Sequence, residues 1–319
     1  MPIISSKYKA PFYLFNGHVE TVVPSVFRKI KDTTYQRERL ELSDGDFLDL
    51  DWLKTGSDKL IIISHGLEGN SERHYSKGMA KYFATHHWDA LAWNCRSCSG
   101  EMNRLPRFYH HGDALDLKAI VDHVVLMNYK TVVMIGFSMG GSMTLTYLGQ
   151  FASTLPAEIK AGVTFSVPCD LVSSVKELSK PSRSFYRNRF LKKLSKKIEM
   201  KSKIFPDIIN YNDFDKINSF EDFDNRYTAP LHGFKDAQDF YIRASCQNHL
   251  SSIKIPVLIV NAANDPFLTA PCYPKEIAST NHFLHLEIPK QGGHVGFSLF
   301  NSATNWMELR TMEFLAQVL

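Results

Sequence analysis

The segment that most constrains the fold of this chain lies near its middle, at residues 130–148. Five apolar or β-branched residues run from Thr131 to Ile135, the sequence Gly136-Phe-Ser-Met-Gly140 follows, and residues with helical character come next. The pattern G-x-S-x-G between a strand and a helix is typical of a nucleophile elbow, in which a strained turn exposes a serine. Glycines two residues away on either side let the neighbouring backbones approach. The alternative is a glycine-rich turn in which Ser138 has no chemical role.

Composition excludes several classes of protein. The 319 residues allow one large domain or two small ones, and 44% hydrophobic residues can form a sizeable core. Of five cysteines, Cys95 and Cys98 form a single C-x-x-C without the second pair of a structural zinc site, so we expect free thiols and no metal. The N-terminus has no signal-peptide pattern and no apolar run reaches about 20 residues, which predicts a soluble cytoplasmic protein. A net charge of +4 is too small to indicate nucleic-acid binding.

Apolar runs and helical patterns alternate along the chain. A hairpin is predicted at 35–42 and 46–54, around a Ser-Asp-Gly turn. Further strands are predicted at 59–63, 88–93, 131–135, 159–167, 256–261 and 283–288, and helices at 72–87, 113–128 and 236–250, as well as directly after the elbow. Such alternation predicts an α/β fold with a mostly parallel sheet, an antiparallel N-terminal hairpin and helices on both faces. Residues 7–30 carry aromatic and turn residues and are interpreted as an arm lying on the body, with His18 in a structural role.

Residues 171–235 interrupt this alternation and are predicted to be a helical cap inserted over the ligand edge of the sheet. The core would then comprise residues 1–170 and 236–319. Within the cap, residues 176–203 contain eleven Lys or Arg and two Glu, whereas 207–224 is acidic. The basic helix face could make weak peripheral contact with anionic lipid. The simpler interpretation is a solvated face that pairs with the acidic segment.

An activated serine needs a base and an acid that orients it. His294 lies on the glycine-flanked loop 291–297, directly after the last predicted strand, and Asp265 follows the preceding strand, just before a proline. The alternative acid is Asp170, which follows the strand at 159–167. A further loop, 94–101, contains Arg96 and Glu101, which are predicted to form an ion pair rather than to contact a substrate.

Together these motifs resemble the YheT-like branch of the α/β-hydrolase superfamily, which includes bacterial predicted hydrolases, plant embryogenesis-associated proteins, and yeast and animal relatives acting on medium-chain esters and lipids. The resemblance covers almost the whole chain. The motifs that carry it are Asn16-Gly-His-Val-Glu-Thr21, Ser64-His-Gly-Leu-Glu-Gly69, Asn94-Cys-Arg-Ser-Cys-Ser-Gly-Glu101, Tyr109-His-His-Gly112, Gly136-Phe-Ser-Met-Gly-Gly141, Ala263-Asn-Asp-Pro-Phe267 and Gly292-Gly-His-Val-Gly-Phe297. The chain departs from the pattern at three positions: Met139 stands where Leu is common, His111 where Ser is common, and Asn264 where an acid is common.

The resemblance implies a catalytic triad of Ser138, Asp265 and His294. It also implies an oxyanion hole formed by the backbone N–H groups of Leu67 and Met139, neither of which depends on the side chain. For Leu67 the alternative is an ordinary turn at the end of a strand.

The resulting hypothesis is a serine hydrolase that cleaves carboxylic esters with short- to medium-chain acyl groups and needs no cofactor. Its partner would be a small-molecule or lipid ester. An acyltransferase or thioesterase could use the same triad, an amide bond could replace the ester, and a non-catalytic binding protein is a further alternative. The sequence gives no indication of the oligomeric state.

Overall fold

A computed structural model describes residues 3–319, and its centre is a single nine-stranded sheet. The strands are β1 (Ile3–Ile4), β2 (Gln36–Glu41), β3 (Phe47–Leu53), β4 (Lys59–Ser64), β5 (Asp89–Asn94), β6 (Thr131–Phe137), β7 (Ile159–Phe165), β8 (Val257–Val260) and β9 (Leu284–Glu287). Their spatial order is β1-β9-β8-β7-β6-β4-β5-β3-β2. Strand β3 is antiparallel to both β2 and β5, and the other pairs are parallel. The predicted α/β fold with an antiparallel N-terminal hairpin is thereby confirmed.

Eleven α-helices connect the strands within residues 3–319. They are α1 (Gly17–Phe27), α2 (His74–Thr85), α3 (Leu115–Val125), α4 (Met139–Gln150), α5 (Leu171–Ser179), α6 (Ser184–Ile204), α7 (Phe220–Phe223), α8 (Ala229–His232), α9 (Ala237–Ala244), α10 (Lys275–Thr280) and α11 (Trp306–Val318). A short π-helical segment, Asp224–Thr228, joins α7 to α8. No helix in this part of the chain is long and apolar enough to cross a membrane.

The central strands are buried on both faces, as their continuous apolar sequences predict. In β4, Leu60 and Ile62 pack with residues of α3 and α4 on one face, whereas Ile61 and Ile63 pack with residues of α2 and α11 on the other. Burying one such side chain fully stabilises the fold by roughly 1.5–3 kcal/mol. Two hydrophobic layers therefore fix the sheet, and the loops at its carboxyl edge are held on a rigid base.

The N-terminal region differs from the predicted arm. It contributes an edge strand, β1, which pairs in parallel with β9, and a helix, α1. Asn16 caps α1 by accepting the N–H of Val19 at 2.9 Å. The prediction missed both elements because a two-residue strand and a helix with an internal Pro24 carry little periodicity.

Residues 171–235 are mainly helical and enclose a small hydrophobic cluster of their own. The buried members of this cluster are Leu191, Ile198, Ile209, Phe214, Ile217, Phe223 and Tyr227. This segment packs against the core partly through α5, the π-helical segment, α7 and α8, all of which contact α9. The boundaries of a separate cap domain remain a prediction.

The expected pairing of the basic helix α6 with the acidic segment 207–224 is wrong. Within residues 3–319, no ion pair joins the two; instead Lys197 pairs with Glu68 of the core at 2.7 Å. Lys201 is fully buried, and its ammonium donates to the carbonyl oxygens of Asn103 and Leu105. Burial lowers the pKa of Lys201 to about 8. The inward side of α6 therefore binds the core, while Lys192 and Lys196 remain exposed.

The expected ion pair between Arg96 and Glu101 is also wrong. Arg96 is buried and binds the carboxylates of Asp46 and Asp116, each at 2.7 Å. Glu101 instead pairs with Arg39 of β2 at 2.7 Å. The loop 94–101 is thus held by the hairpin of β2 and β3 and by α3, through partners outside the loop.

Candidate active site

Ser138 lies on a strained turn between β6 and α4. Its backbone has φ 55° and ψ −121°, a conformation that L-residues with a side chain rarely adopt. A Cβ atom at Gly140 would lie 2.2 Å from the carbonyl oxygen of Ser64, so only glycine fits there. The same is true of Gly136, whose Cβ atom would lie 2.5 Å from the carbonyl oxygen of Gly140. The turn therefore has the geometry of a nucleophile elbow.

The structure brings Ser138, His294 and Asp265 into one chain of hydrogen bonds. The Ser138 Oγ atom lies 2.9 Å from His294 Nε2, and His294 Nδ1 lies 2.9 Å from Asp265 Oδ2. A carboxylate can only accept, so the imidazole proton is assigned to Nδ1, which leaves Nε2 to accept the serine hydroxyl proton. The Asp265 side chain is 0% exposed and that of His294 is 11% exposed. This arrangement can activate the serine as a nucleophile.

Asp170, the alternative acid, has a different role. It caps α5 by accepting the N–H of Ser173 at 2.8 Å, and it accepts the side-chain amide of Gln247 at 2.9 Å. Asp265 instead faces His294 and is held in place by the N–H of Phe267, which donates to its Oδ1 at 2.9 Å. The ring of Phe267 also lies against the imidazole, with 4.1 Å between centroids.

The two candidate oxyanion donors flank Ser138. Met139 is the first residue of α4, where the N–H groups of a helix have no partner within the helix. Leu67 follows β4, and no acceptor for its N–H is found within residues 3–319. A Cβ atom at Gly66 would lie 3.2 Å from the Ser138 Cβ atom, which shows how closely this loop approaches the nucleophile. Both N–H groups are therefore available to a ligand bound at Ser138.

Buried polar side chains fix the loop that carries Leu67. His65 Nε2 accepts the N–H of Cys95 at 3.1 Å, and Tyr75 OH accepts the N–H of Gly66 at 3.1 Å. Desolvation lowers the pKa of His65 to about 4, so its ring is neutral and can accept this bond. His65 is thus a structural support of the loop that carries Leu67.

Helix α1 braces the loop that carries His294, a role that the sequence analysis missed. Thr21 Oγ1 accepts the N–H of His294 at 2.8 Å, and the buried carboxylate of Glu20 accepts the N–H of Gly292. Asn264 links α1 to the loop that carries His294. Its side-chain amide donates to Glu20 at 3.0 Å, and its side-chain oxygen accepts the N–H of Gly293 at 3.1 Å. An acid at position 264 could not donate to Glu20 without being protonated. The motif at 16–21, an Asn cap followed by Glu in the first turn, was the available signal for this helix.

Comparison with known proteins places this chain in a family. A family model described as serine aminopeptidase, S33 matches residues 55–272, more than half of the chain. The chain belongs to this family. The hydrolase is also 30% identical to YheT of Escherichia coli (strain K12) over 314 residues, which cover 95% of this chain and 91% of the relative. It is 28% identical to phospholipase ABHD3 of Mus musculus over 307 residues, which cover 93% of this chain and 74% of that relative.

A third relative is the monoacylglycerol lipase of Saccharomyces cerevisiae, 28% identical over 80% of this chain and 58% of the relative. Among solved structures, the esterase Pf2001 of Pyrococcus furiosus superposes with a TM-score of 0.59 at 20% identity, over 91% of this chain and 98% of that chain. This structural similarity supports the α/β-hydrolase fold. The sequence relatives confirm the predicted YheT-like branch.

A large cavity opens from Ser138 into the space under the helical segment 171–235. It has a volume of about 1070 Å³, including its open mouth. Apolar side chains dominate its wall: Leu67, Phe108, Met139, Leu171, Val175, Leu178, Leu194, Ile198, Phe220, Phe223, Phe240 and Phe267. In the hydrolase, α5, α6 and α7 therefore supply much of the surface that an apolar substrate would contact.

Two buried acids, Glu68 and Asp224, interrupt this apolar wall. Asp224 accepts hydrogen bonds from the hydroxyl groups of Tyr241, at 2.7 Å, and Thr228, at 2.5 Å. Burial raises the pKa of Asp224 to about 6. Within residues 3–319, no cluster of three or more His, Cys, Asp or Glu side chains could hold a metal ion.

Proposed function

We propose that this hydrolase cleaves carboxylic esters with short- to medium-chain acyl groups through an acyl-enzyme on Ser138. The observation that carries the proposal is the hydrogen-bond chain from Ser138 through His294 to Asp265, of which Ser138 and His294 line the apolar cavity. Two relatives, named as a phospholipase and a monoacylglycerol lipase, also favour ester substrates.

In the first half of the reaction, Ser138 Oγ attacks the ester carbonyl while His294 Nε2 accepts the hydroxyl proton. Asp265 stabilises the imidazolium that forms and keeps its orientation. The carbonyl oxygen becomes negatively charged, and the N–H groups of Leu67 and Met139 would donate to it. The loss of one such donor typically lowers the rate about 10²–10³-fold.

The first half ends when the bond between the carbonyl carbon and the alcohol oxygen breaks, His294 returns its proton to the leaving alcohol, and an acyl-enzyme remains on Ser138. In the second half, His294 accepts a proton from water, which attacks the acyl carbonyl and releases the acid. The serine regains its proton from the imidazolium, so the catalyst is restored. The apolar cavity would hold the acyl chain throughout, since burying each CH₂ group contributes about 0.8 kcal/mol.

The test is hydrolysis of p-nitrophenyl esters with acyl chains of two to sixteen carbons, by the wild type and by Ser138→Ala. Ser142→Ala is a matched control, because Ser142 lies one turn further along α4 and donates only weakly, at 3.5 Å, to the carbonyl oxygen of Pro168. We expect turnover with an optimum in the short to medium range, abolished by Ser138→Ala and kept by Ser142→Ala.

A p-nitroanilide with the preferred acyl group distinguishes ester from amide cleavage, which the family description raises. A fluorophosphonate probe should label Ser138 and nothing in the Ser138→Ala variant. If folded wild-type protein hydrolyses no ester and is not labelled, the proposed chemistry is refuted.

A further inference from the structure

A second, smaller cavity meets the first at Ser138. The two cavities share three lining residues, namely Leu67, Ser138 and His294. The second cavity has a volume of about 600 Å³, including its open mouth, and lies between α1, the start of α2 and α6. The candidate nucleophile therefore stands between two compartments of different chemistry.

The wall of the second cavity combines apolar and polar side chains, and two of the polar ones are cationic. Arg73 and Arg189 line it, and within residues 3–319 neither guanidinium has a carboxylate within ion-pair distance. The Nε atom of Arg73 and the Nδ1 atom of His74 are shielded from solvent and have no hydrogen-bond partner in that part of the chain. Buried polar atoms are rarely left without a partner, so both atoms are available to hydrogen-bond a ligand bound in this cavity.

A third cation lies beside these two arginines. The ammonium of Lys193 donates to the carbonyl oxygen of Glu68 at 2.9 Å, in the loop that carries Leu67. Burial, followed by the positive charge of Arg73, lowers the pKa of Lys193, and Arg189 adds to this effect. The nearest carboxylate, that of Glu68, is engaged by Lys197. The region therefore has an excess of positive charge that no described side chain balances.

The mechanism of ester cleavage indicates which part of a substrate would lie in the second cavity. The acyl chain fits the apolar cavity, so the alcohol must leave on another side of Ser138, where His294 Nε2 can return a proton to its oxygen. The second cavity touches both Ser138 and His294. Guanidinium groups bind phosphate and carboxylate oxygens through paired, charge-assisted hydrogen bonds.

We propose that Arg73 and Arg189, which line the second cavity, form a leaving-group subsite for an ester whose alcohol carries an anionic group, a phosphate in the first instance; Lys193 lies outside the cavity wall and contributes only its charge. This inference rests on the proposed esterase function and adds to it the charge of the preferred alcohol. The expected substrates are esters of phosphorylated alcohols rather than of neutral alcohols with the same acyl chain.

The experiment compares kcat/KM for two substrates with one acyl chain, 1-octanoylglycerol 3-phosphate and 1-octanoylglycerol. The wild type should favour the phosphorylated ester, and the ratio should fall about tenfold in Arg73→Met and about threefold in the more exposed Arg189→Met, because charge-assisted hydrogen bonds are lost. Lys192→Met is the matched control: it removes an exposed cation one residue from Lys193, outside the cavity, and should leave the ratio unchanged.

Salt provides a second readout. Charges near the surface are screened over about 10 Å at 0.1 M ionic strength. The preference of the wild type for the phosphorylated ester, measured as the ratio of kcat/KM values, should therefore decline as salt rises. In Arg189→Met the same ratio should decline less. Inhibition of p-nitrophenyl octanoate hydrolysis by glycerol 3-phosphate and by inorganic phosphate distinguishes a leaving-group site from a site for the free anion. Glycerol 3-phosphate should be the stronger competitive inhibitor.

The subsite would be overturned if the ratio of kcat/KM for the two esters were near one and neither arginine variant changed it, while p-nitrophenyl octanoate was still hydrolysed. Equal inhibition by inorganic phosphate, with an unchanged substrate ratio, would also overturn it. The absence of all turnover by wild-type protein would instead refute the proposed function. Arg189 lies on the exposed face of α6, so its variant should fold even if Arg73→Met does not.

Discussion

The support that α1 gives to His294 is open to a direct test by Thr21→Val. Valine has nearly the shape of threonine but offers no acceptor, so the N–H of His294 would lose its partner at 2.8 Å. The hydroxyl also donates to the carbonyl oxygen of Gly17, which ties it to the first turn of α1. The substitution thus removes one contact between α1 and the loop 291–297 without changing the volume of the side chain.

The expected loss follows from the cost of an unsatisfied group and from the geometry of the triad. Leaving a buried donor without a partner costs about 1–3 kcal/mol, enough to let the loop shift. Proton transfer depends on the 2.9 Å contacts that His294 makes with Ser138 and Asp265, and a displacement of about 1 Å can lower a rate about 10²-fold. We expect kcat to fall about 10–100-fold, with a smaller change in KM, because Thr21 lines only the second cavity and not the apolar cavity that would hold the acyl chain.

The assay is steady-state hydrolysis of p-nitrophenyl octanoate, together with urea unfolding to measure the free energy of unfolding. Thr21→Ser keeps the acceptor and should retain most of the wild-type kcat. A folded Thr21→Val protein with wild-type kcat would refute the reasoning. So would equal losses in Thr21→Val and Thr21→Ser, since the methyl group rather than the hydroxyl would then be responsible.

Three further predictions concern the acid, the elbow and the apolar cavity. Asp265→Asn should lower kcat for p-nitrophenyl octanoate by about 10³–10⁴-fold, because an amide favours the wrong imidazole tautomer, whereas Asp170→Asn should keep most of the activity. Gly140→Ala places a Cβ atom 2.2 Å from the carbonyl oxygen of Ser64, and should lower the free energy of unfolding in urea by at least about 1–3 kcal/mol. The pKa of Asp224 is raised from its ordinary value of 3.8 to about 6. Its favourable contribution to the free energy of unfolding is therefore fully present below pH 3.8 and is lost as the pH rises through 6. In urea melts, Asp224→Asn should therefore gain stability relative to the wild type between pH 4 and pH 7, by up to about 2–3 kcal/mol.

The sheet and the elbow could be predicted because their signals are local. Strands β4, β6 and β8 are buried on both faces, which forces continuous apolar sequences whatever packs against them. The glycines around Ser138 are required by backbone contacts within a few residues or with the adjacent strand. Sequence order alone then places Asp265 and His294 at the same edge of the sheet, since both follow parallel strands.

The hydrogen bonds that hold the loops at that edge of the sheet could not be predicted in the same way. Glu20 and Thr21 act on loops more than 240 residues away in sequence, and nothing in their local pattern indicates the partner. Arg96 shows the same difficulty, since Glu101 is its neighbour in sequence but Asp46 and Asp116 are its neighbours in space. An ion pair predicted from neighbouring positions in sequence is wrong where the fold brings another charged side chain closer.

Helix α6 links the cap segment to the candidate oxyanion hole. Helical periodicity separates its lysines from its apolar residues, yet Lys193 and Lys197 both reach Glu68, the residue directly after Leu67. Glu68 has a positive φ of 53°, so its conformation is one that the surroundings must stabilise. Because Tyr109 also donates to this carboxylate, the position of the Leu67 N–H depends on α6 as well as on β4. The same helix carries Arg189 at the second cavity and Leu194 at the first, so a movement of α6 would change both compartments and the oxyanion donor together.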